Sequence, residues 1–496
     1  MKLLTRGFSA TYELESLTRM LYPGAERLPG PVIPDSDDWV LAEMNRTGTA
    51  VLLRVTLCLD GTETVREDTA EPSLSEKQCT FLLCRLLYAL SCERTGTELR
   101  WGILTGIRPI KLFHNLAAEG LSDAEIARRM QDRYLIGDEM TALALDIRRR
   151  EAEINKKSLP NGFSLYISVP FCPQRCSYCS FVSSTVERMR PLIPQYVELL
   201  CREIEETARI ANSLGLCLQT VYMGGGTPTT LEAPQLRQVL STVRRVFDCG
   251  NLLEFTVEAG RPDTIDAERL TALHDCGVGR ISINPQSMND RTLRAVGRGH
   301  TPDDIVRAYA LARDIGFECI NMDLIAGLAD ETPAEFADSL ARVTALAPEN
   351  ITVHALTLKR ASTLVEQGQA EYFYRRGTET AEMVDTARHT LTRAGWQPYY
   401  LYRQKNTIGA LDNTGYARPG TEGCYNVLIM DETQTILACG AGAVTKLRQS
   451  GGDKIERIYN YKYPAEYIGH FGEMLARKEG IAKFYEEYKP EFGIAH

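Results

Sequence analysis

The sequence predicts an α/β fold in three parts. A partial (β/α)6 barrel occupies 159–376, an N-terminal α+β extension precedes it at 1–158, and a C-terminal α+β domain at 377–496 covers the open side of the barrel. Three observations carry this reading. Six short apolar runs alternate with amphipathic stretches of helical length, the pattern of a parallel sheet built from β/α units. The string SLPNG at 158–162 breaks a charged helical pattern, as Pro and Gly do between domains. The length, 496 residues, exceeds what one hydrophobic core usually organises.

In the extension, TAVLLRVTLCLDG alternates as a strand does, and a polar, acidic stretch, GTETVREDTAEPS, follows it. SLSEKQCTFLLCRLLYALSCE reads as a helix that opens on a capping box, with Ser75 as the cap and Gln78 three positions on. SDAEIARRMQDRYLIGDEMTALALDIRRREAEINKK is a second, charged helical region. The six barrel strands are expected at SLYISVP (164–170), QTVYMG (219–224), EFTVEA (254–259), RISINP (280–285), CINMDLIAG (319–327) and ITVHAL (351–356). Ser, Thr, Asp or Pro precedes many of the intervening helical stretches, as helix starts require. Six units curl into a partial barrel rather than the full eight, and chemistry in such folds gathers at the C-terminal ends of the strands. Past 377 the alternation stops: one helix leads to the strand-like WQPYYLYRQK, a glycine-rich region and TILACGAGAVTKL.

Composition narrows the function. The net charge of -9 argues against a nucleic-acid partner, which needs a basic face to neutralise phosphate. No apolar run approaches the ~20 residues of a membrane span, and the N-terminal stretch is broken by Arg6 without a small-residue cleavage site, so a cytoplasmic location is expected. Fourteen cysteines are spread along the chain, and most stand alone as small buried hydrophobes of a reduced protein.

One cluster stands apart. SVPFCPQRCSYCSF places Cys172, Cys176 and Cys179 on a loop directly after a predicted strand. A 4Fe-4S cluster takes soft thiolates, normally four, so three cysteines hold three irons and leave the fourth open for a ligand. A structural zinc site would need a fourth Cys or His nearby, and the stretch from Ser180 to Leu200 has neither. A redox dithiol fits less well, although the second half of the motif has that spacing. Further polar residues fall at strand ends. Gly224, Gly225, Gly226 and Thr227 close the second strand, where glycines let backbone approach a ligand, although a glycine triplet alone is more often a turn. Glu258 ends the third strand, Gln286 follows the fourth, Arg298 follows the next helix, and Asp323 sits in an apolar strand where it is costly unless paired. An isolated glutamate there is usually solvated, and Arg298 also suits a helix C-terminus.

The cysteine string, with the aromatic Tyr178 before its third cysteine, resembles the radical S-adenosylmethionine superfamily over about residues 160–360. That resemblance implies a 4Fe-4S cluster whose open iron chelates the methionine part of S-adenosylmethionine, whose cleavage gives a hydrogen-abstracting 5′-deoxyadenosyl radical. The cofactor carries the hard chemistry and the protein positions it. GGGTPT, PQSMND, GRGHT, DLIAGL and YYLYRQKN further resemble the oxygen-independent coproporphyrinogen III oxidases, in their coproporphyrinogen dehydrogenase branch. By this resemblance Tyr166, Tyr178, Gly225, Gly226, Thr227, Glu258, Gln286, Arg298 and Asp323 are expected at S-adenosylmethionine, and Ala355 and Val444 near a second molecule of it. The implied reaction is oxidative decarboxylation of two propionates of coproporphyrinogen III to vinyl groups, giving protoporphyrinogen IX in heme biosynthesis. It would consume two S-adenosylmethionine molecules and draw on a reduced flavodoxin- or ferredoxin-like electron donor. Tyr399, Tyr400, Tyr402, Arg403 and Lys405 are candidates for holding the flat, carboxylated tetrapyrrole, against the plain reading of an ordinary strand. Two rivals stay open. One is a heme chaperone of the same family, with His300 or His354 as an exposed axial ligand; the other is a different radical reaction on a tetrapyrrole.

Overall fold

The computed structural model describes residues 1–30, 38–179, 181, 183–359 and 362–488, which pack as two compact units. The first comprises 1–146, 368–378 and 402–412; the second comprises 147–367, 379–401 and 413–496.

The first unit is built on the strands β1 (Lys2–Arg6), β2 (Glu26–Arg27), β3 (Trp39–Arg46), β4 (Val51–Leu59) and β5 (Thr62–Ala70), in the order β2-β1-β3-β4-β5. The inward face of β3 and β4 supplies Val40, Ala42, Val55 and Leu57, which pack with Leu14 and Leu17 of helix Tyr12–Leu21 and with Leu83 and Leu87 of helix Glu76–Thr95. That second helix starts on the expected capping box, Ser75 with Gln78. The acidic stretch after β4 is itself a strand. Asp60 and Gly61, both at positive φ (50° and 71°), turn the chain so that β5 pairs antiparallel with β4. An Asp-Gly pair is a strong hairpin signal, but β5 lies at the sheet edge and is mostly exposed, so it carries no apolar alternation. The charged helical region divides into Asp123–Tyr134 and Asp138–Asn155, because Leu135 takes the left-handed conformation (φ 59°) that ends the first helix.

The second unit holds β6 (Gly162–Val169), β7 (Phe171–Cys172), β8 (Ser184–Thr185), β9 (Cys217–Gly225), β10 (Glu254–Glu258), β11 (Arg280–Ser282), β12 (Cys319–Ala326), β13 (Asn350–Ala355), β16 (Thr435–Cys439), β17 (Val444–Arg448) and β18 (Ile455–Tyr459), with most of β14 (Gln397–Arg403) and β15 (Asp412–Ala417); Tyr402, Arg403 and Asp412 of these last two fall in the first unit. The six predicted strands, β6 and β9 to β13, stand parallel and consecutive in an eleven-stranded sheet ordered β14-β15-β13-β12-β11-β10-β9-β6-β16-β17-β18. A seventh parallel strand, β16, joins beside β6, while β15 runs antiparallel to β13. TILACGAGAVTKL is therefore two strands, β16 and β17, separated by the loop at Gly440–Gly442. The crossover helices begin as their sequences suggest: Thr301 with Asp304 and Thr332 with Glu335 form capping boxes, and Asp266 caps the helix Ala267–Asp275. Their buried stripes, such as Leu236, Val239, Leu240 and Val243, cover a sheet whose strands are apolar on both faces. Among the described residues, no helix is long and apolar enough to cross a membrane.

A fully buried ion pair ties the C-terminal strands to this sheet. Glu203, on helix Ile193–Ser213, lies 2.8 Å from Lys478 Nζ, and the side chains are 0% and 1% exposed. Its carboxylate also accepts from Gly440 N, Tyr467 Oη and Asn460 Nδ2, each at 2.7 Å, so every lone-pair direction is used. Lys478→Met should lower the unfolding free energy by ~3–5 kcal/mol in urea titration, because it strands a buried carboxylate. Adding Glu203→Leu should recover a large part of the loss.

Candidate active site at the strand ends

The site starts from a seam between two strands. β6 and β9 run in parallel register to their ends, Val169 opposite Gly225. There the Gly226 amide donates to Val169 O (2.8 Å) and the Thr227 amide to Phe171 O (2.7 Å). A Cβ at Gly226 would stand 2.5 Å from Phe171 O and 2.8 Å from Phe171 N, so only glycine fits, and Gly225 has φ 109°. The glycine turn thus clasps the first residues of the cysteine loop.

The rest of that loop is pinned by the segment that follows helix Asp290–Ala295 and by residues just past β10. Ser177 N donates to Val296 O at 3.1 Å, and Gln174 Nε2 to Gly297 O at 2.6 Å. Arg298 donates to Tyr178 Oη at 3.1 and 3.3 Å and to Gly260 O at 3.0 Å, bridging the loop to the end of β10. Arg261 lies with Nη1 3.5 Å from Cys176 Sγ, and Cys172 Sγ lies 3.5 Å from Thr227 Oγ1. Cys176 is buried, while Cys172 and Cys179 are half-buried. Burial pushes the Cys179 thiol up, and the neighbouring Cys176 and Cys172 add to the effect. A bound metal would invert that balance, since a coordinating thiol is deprotonated outright.

Inside the sheet, Tyr222 Oη donates to Glu258 Oε1 at 2.7 Å. Burial raises the Glu258 carboxyl to about 7, with the nearby Asp323 adding to it and the Tyr222 hydrogen bond opposing it. Tyr166, Tyr222 and Tyr425 form a stack, with centroids 6.3 Å apart for Tyr166–Tyr222 and 4.5 Å for Tyr222–Tyr425. Gln286 is held at φ 66° by backbone hydrogen bonds to Asp323 O and from Ile325 N. Burial raises the Asp323 carboxyl, but hydrogen bonds from His354 and Asn321 outweigh it and leave it below its usual range. His354 Nε2 is 3.8 Å from Asp323 Oδ2. Ala355 ends β13, buried, its amide donating to Asn413 Oδ1 at 3.1 Å.

The three cysteines, Tyr178, Thr227 and Arg298 are thus linked by direct contacts or one shared loop; Gly225, Gly226 and Glu258 stand at the ends of β9 and β10, Gln286 follows β11, and Tyr166 and Asp323 lie within β6 and β12. Val444 opens β17, exposed and paired with Tyr459 of β18, outside this group. Arg403 departs from the sequence expectation. It is buried in the first unit, where its guanidinium donates to Leu104 O, Gly106 O and Ala410 O, so its donors are spent on backbone rather than open to a carboxylate. Lys405 sits over the Tyr12 ring of the same unit. Tyr399 and Tyr400 are buried in the second unit and bonded to Asn426 and Thr352. His300 is buried too, and burial together with Arg298 lowers it to about 4, so it is neutral and enclosed rather than exposed. Arg261, Asp263, Gln174, Tyr222 and Tyr425 went unread in the sequence. A charged Arg-Pro-Asp directly after a strand end is the signal that could have found the first two.

These residues fit a 4Fe-4S cluster with S-adenosylmethionine. The donor set is three thiols on one loop, and among the described residues these buried polar atoms have no hydrogen-bond partner: Ser177 Oγ, Asn284 Oδ1, Gln286 Oε1 and both ring nitrogens of His300. Leaving such an atom unsatisfied costs about 1–3 kcal/mol, so the mouth suits a polar guest. Two outcomes follow. Gly226→Ala should destabilise the protein by ~1–3 kcal/mol and lower the iron retained after anaerobic reconstitution, because the new methyl meets backbone that has no room to yield. In apo protein, the raised Glu258 carboxyl opposes folding increasingly as pH climbs from about 4.5 to about 7. Glu258→Gln should therefore match wild type near pH 4.5 and exceed it by ~1–2 kcal/mol at pH 8, read by denaturant unfolding at both pH values.

Comparison with known proteins agrees with this geometry. Residues 166–342 match the radical SAM superfamily. The chain is 38% identical over 411 residues to the oxygen-independent coproporphyrinogen-III oxidase-like protein HemZ of Bacillus subtilis, covering 81% of each chain. It is 29% identical over 332 residues to the heme chaperone HemW of Escherichia coli, covering 67% of this chain and 82% of that one. It is 31% identical over 238 residues to the oxygen-independent coproporphyrinogen III oxidase of Salmonella typhimurium, covering 47% of this chain and 50% of that one. The chain belongs to the radical S-adenosylmethionine superfamily and, within it, to the family of oxygen-independent coproporphyrinogen III oxidase-like proteins.

Proposed function

We propose that the protein converts coproporphyrinogen III to protoporphyrinogen IX without oxygen, in heme biosynthesis. The observation that carries the substrate class is the 38% identity to a coproporphyrinogen-III oxidase-like protein across 81% of the chain, a span that includes much more than the superfamily core. Cys172, Cys176 and Cys179 would hold the cluster. Gly225, Gly226 and Thr227 would present backbone to the methionine part of S-adenosylmethionine, and Tyr166, Tyr178, Glu258, Gln286, Arg298, Asp323 and Ala355 would complete the pocket. When bound, the cluster and S-adenosylmethionine supply a carbon radical strong enough to take hydrogen from an unactivated carbon.

The chain's own work is positioning and exclusion. Arg298 fixes Tyr178 against the β10 end, so the cysteine loop presents its thiols in one geometry. Glu258 and the stacked Tyr166, Tyr222 and Tyr425 close the interior side of the mouth. Each propionate loses one β-hydrogen and its carboxyl as carbon dioxide, leaving one electron for an external acceptor. Two propionates therefore require two S-adenosylmethionine molecules per turnover, and a low-potential flavodoxin- or ferredoxin-like protein would supply the reducing electrons.

A second reading, heme carriage, draws on the likeness to HemW. It needs an accessible axial ligand, and the burial of His300 and the pairing of His354 with Asp323 favour the enzyme instead. The test is anaerobic: reconstituted protein with S-adenosylmethionine, coproporphyrinogen III and a strong reductant, followed by mass spectrometry. Loss of two carbon dioxide units together with 5′-deoxyadenosine, and neither with Cys176→Ala, is the expected result. Stoichiometric heme binding without porphyrinogen turnover would replace the proposal with the chaperone. A changed product mass would point to another radical reaction on a tetrapyrrole.

A further inference from the structure

Directly behind the cysteine loop lies a charged pair that the proposed reaction does not yet use. Arg261 follows the end of β10 and is 3% exposed, an unusual depth for a guanidinium. Its Nε and Nη2 make a two-pronged contact with Asp263, at 3.0 and 2.9 Å. Nη1 donates to Gln174 O at 3.3 Å and reaches Cys176 Sγ at 3.5 Å. All three nitrogens are thus committed, and one of them points at a thiol. The strap from Gly297 to His300 covers the pair: a Cβ at Gly299 would sit 3.4 Å from Asp263 Oδ2 and 3.9 Å from Arg261 Nη2.

The carboxylate decides the orientation. Burial raises the Asp263 carboxyl, but the two hydrogen bonds and charge of Arg261 outweigh it and hold it below the usual range, so it stays an anion that locks the fork. With Nε and Nη2 held, Nη1 has little freedom and keeps its donor on the cysteine loop. Arg298, the other buried arginine here, is spent on Tyr178 Oη and Gly260 O.

We infer that Arg261 is a positioning residue that donates a hydrogen bond to the Cys176 thiolate and sets the reduction potential of the cluster, with Asp263 moderating its charge. The inference rests on the reading of Cys172, Cys176 and Cys179 as cluster ligands. A reduced cluster carries one more negative charge than an oxidised one. A donor and a positive charge at a ligating sulfur favour that reduced form, and hydrogen bonds to the sulfurs are among the levers that set iron–sulfur potentials. Asp263 partly cancels the positive charge, so removing it acts in the opposite direction. The device would let a cluster be reduced by a donor that is only moderately strong.

The test is a redox titration of the reconstituted full-length protein without S-adenosylmethionine, followed by electron paramagnetic resonance, with iron content measured on each sample. Wild type must show a reducible cluster; failure there sinks the cluster reading itself. In Arg261→Gln the reduced-to-oxidised ratio at a fixed ambient potential should fall about tenfold, equivalent to ~59 mV for one electron. Arg261→Lys should fall less, and Asp263→Asn should move the ratio upward. Potentials unchanged in the clusters that do form, or shifts of one sign in all three variants, would overturn the inference while leaving the cluster reading intact. Loss of iron from all three variants would equally overturn it, assigning the pair to loop folding alone.

Discussion

Everything at the mouth of the sheet depends on how closely two backbones approach at Gly226. The two amides of Gly226 and Thr227 donate to carbonyls of Val169 and Phe171, and the contact leaves no space for a side chain. This clasp continues the parallel β6–β9 ladder past the point where regular strands end. It fixes the direction in which the cysteine loop leaves the sheet, and the short β7–β8 pairing keeps Phe171 and Cys172 extended as they leave. Cys172 then comes to rest beside Thr227, on the far side of the same clasp. A side chain at Gly226 would move the loop as a whole, because every later anchor assumes this starting point.

The loop's second constraint is electrostatic. Two buried arginines stand behind three thiols, and each is held by a different element: Arg261 by Asp263, Arg298 by Tyr178 and Gly260 O. Burying a guanidinium is costly unless its donors are met, and these are met by groups that belong to the loop or to the β10 end. The charges therefore do two things at once: they bond the loop to the sheet and leave a positive field where thiolates would stand. The same field explains the neutral His300, since burial and Arg298 both disfavour its charged form. An imidazole enclosed in this way serves poorly as an accessible heme ligand.

Much of this was legible in the sequence, for identifiable reasons. Strands buried on both faces read as near-continuous apolar runs, so β6 and β9 to β13 were found within a few residues of their ends. Caps such as Thr301 with Asp304 announce themselves because the donor and acceptor are three positions apart. What the sequence hid were features set by distant pairing. β5 is exposed and polar, so only its Asp-Gly turn betrayed it, and β16 joined the parallel sheet beside β6 although its partners lie far back in the chain, as Ile436 opposite Ser164. Arg403 read as a carboxylate fork because its motif resembles a family string, yet its donors are consumed by carbonyls of residues 104 and 106. A side chain's chemistry is local, but whether that chemistry is still available is a property of the packing.

The C-terminal strands show how distant packing reaches the site. β16 lies against β6, the strand that carries the cysteine loop, and the loop following β16 is held by Glu203 through Gly440 N. Tyr196 completes the link: its hydroxyl donates to Ser168 O at 2.8 Å and accepts from Ala441 N at 2.9 Å. Ser168 is the residue before Val169, the carbonyl that Gly226 grips. Hydrogen bonds and the adjoining peptide units therefore link the buried Glu203–Lys478 pair, through Gly440–Ala441 and Tyr196, to Ser168–Val169 at the end of β6 and the glycine clasp. Such a pair contributes little net stability against an apolar substitute, because desolvation offsets most of its attraction. What it does supply is direction: two ions and three further hydrogen-bonding groups agree on a single arrangement, and the strand end that presents the thiols inherits it.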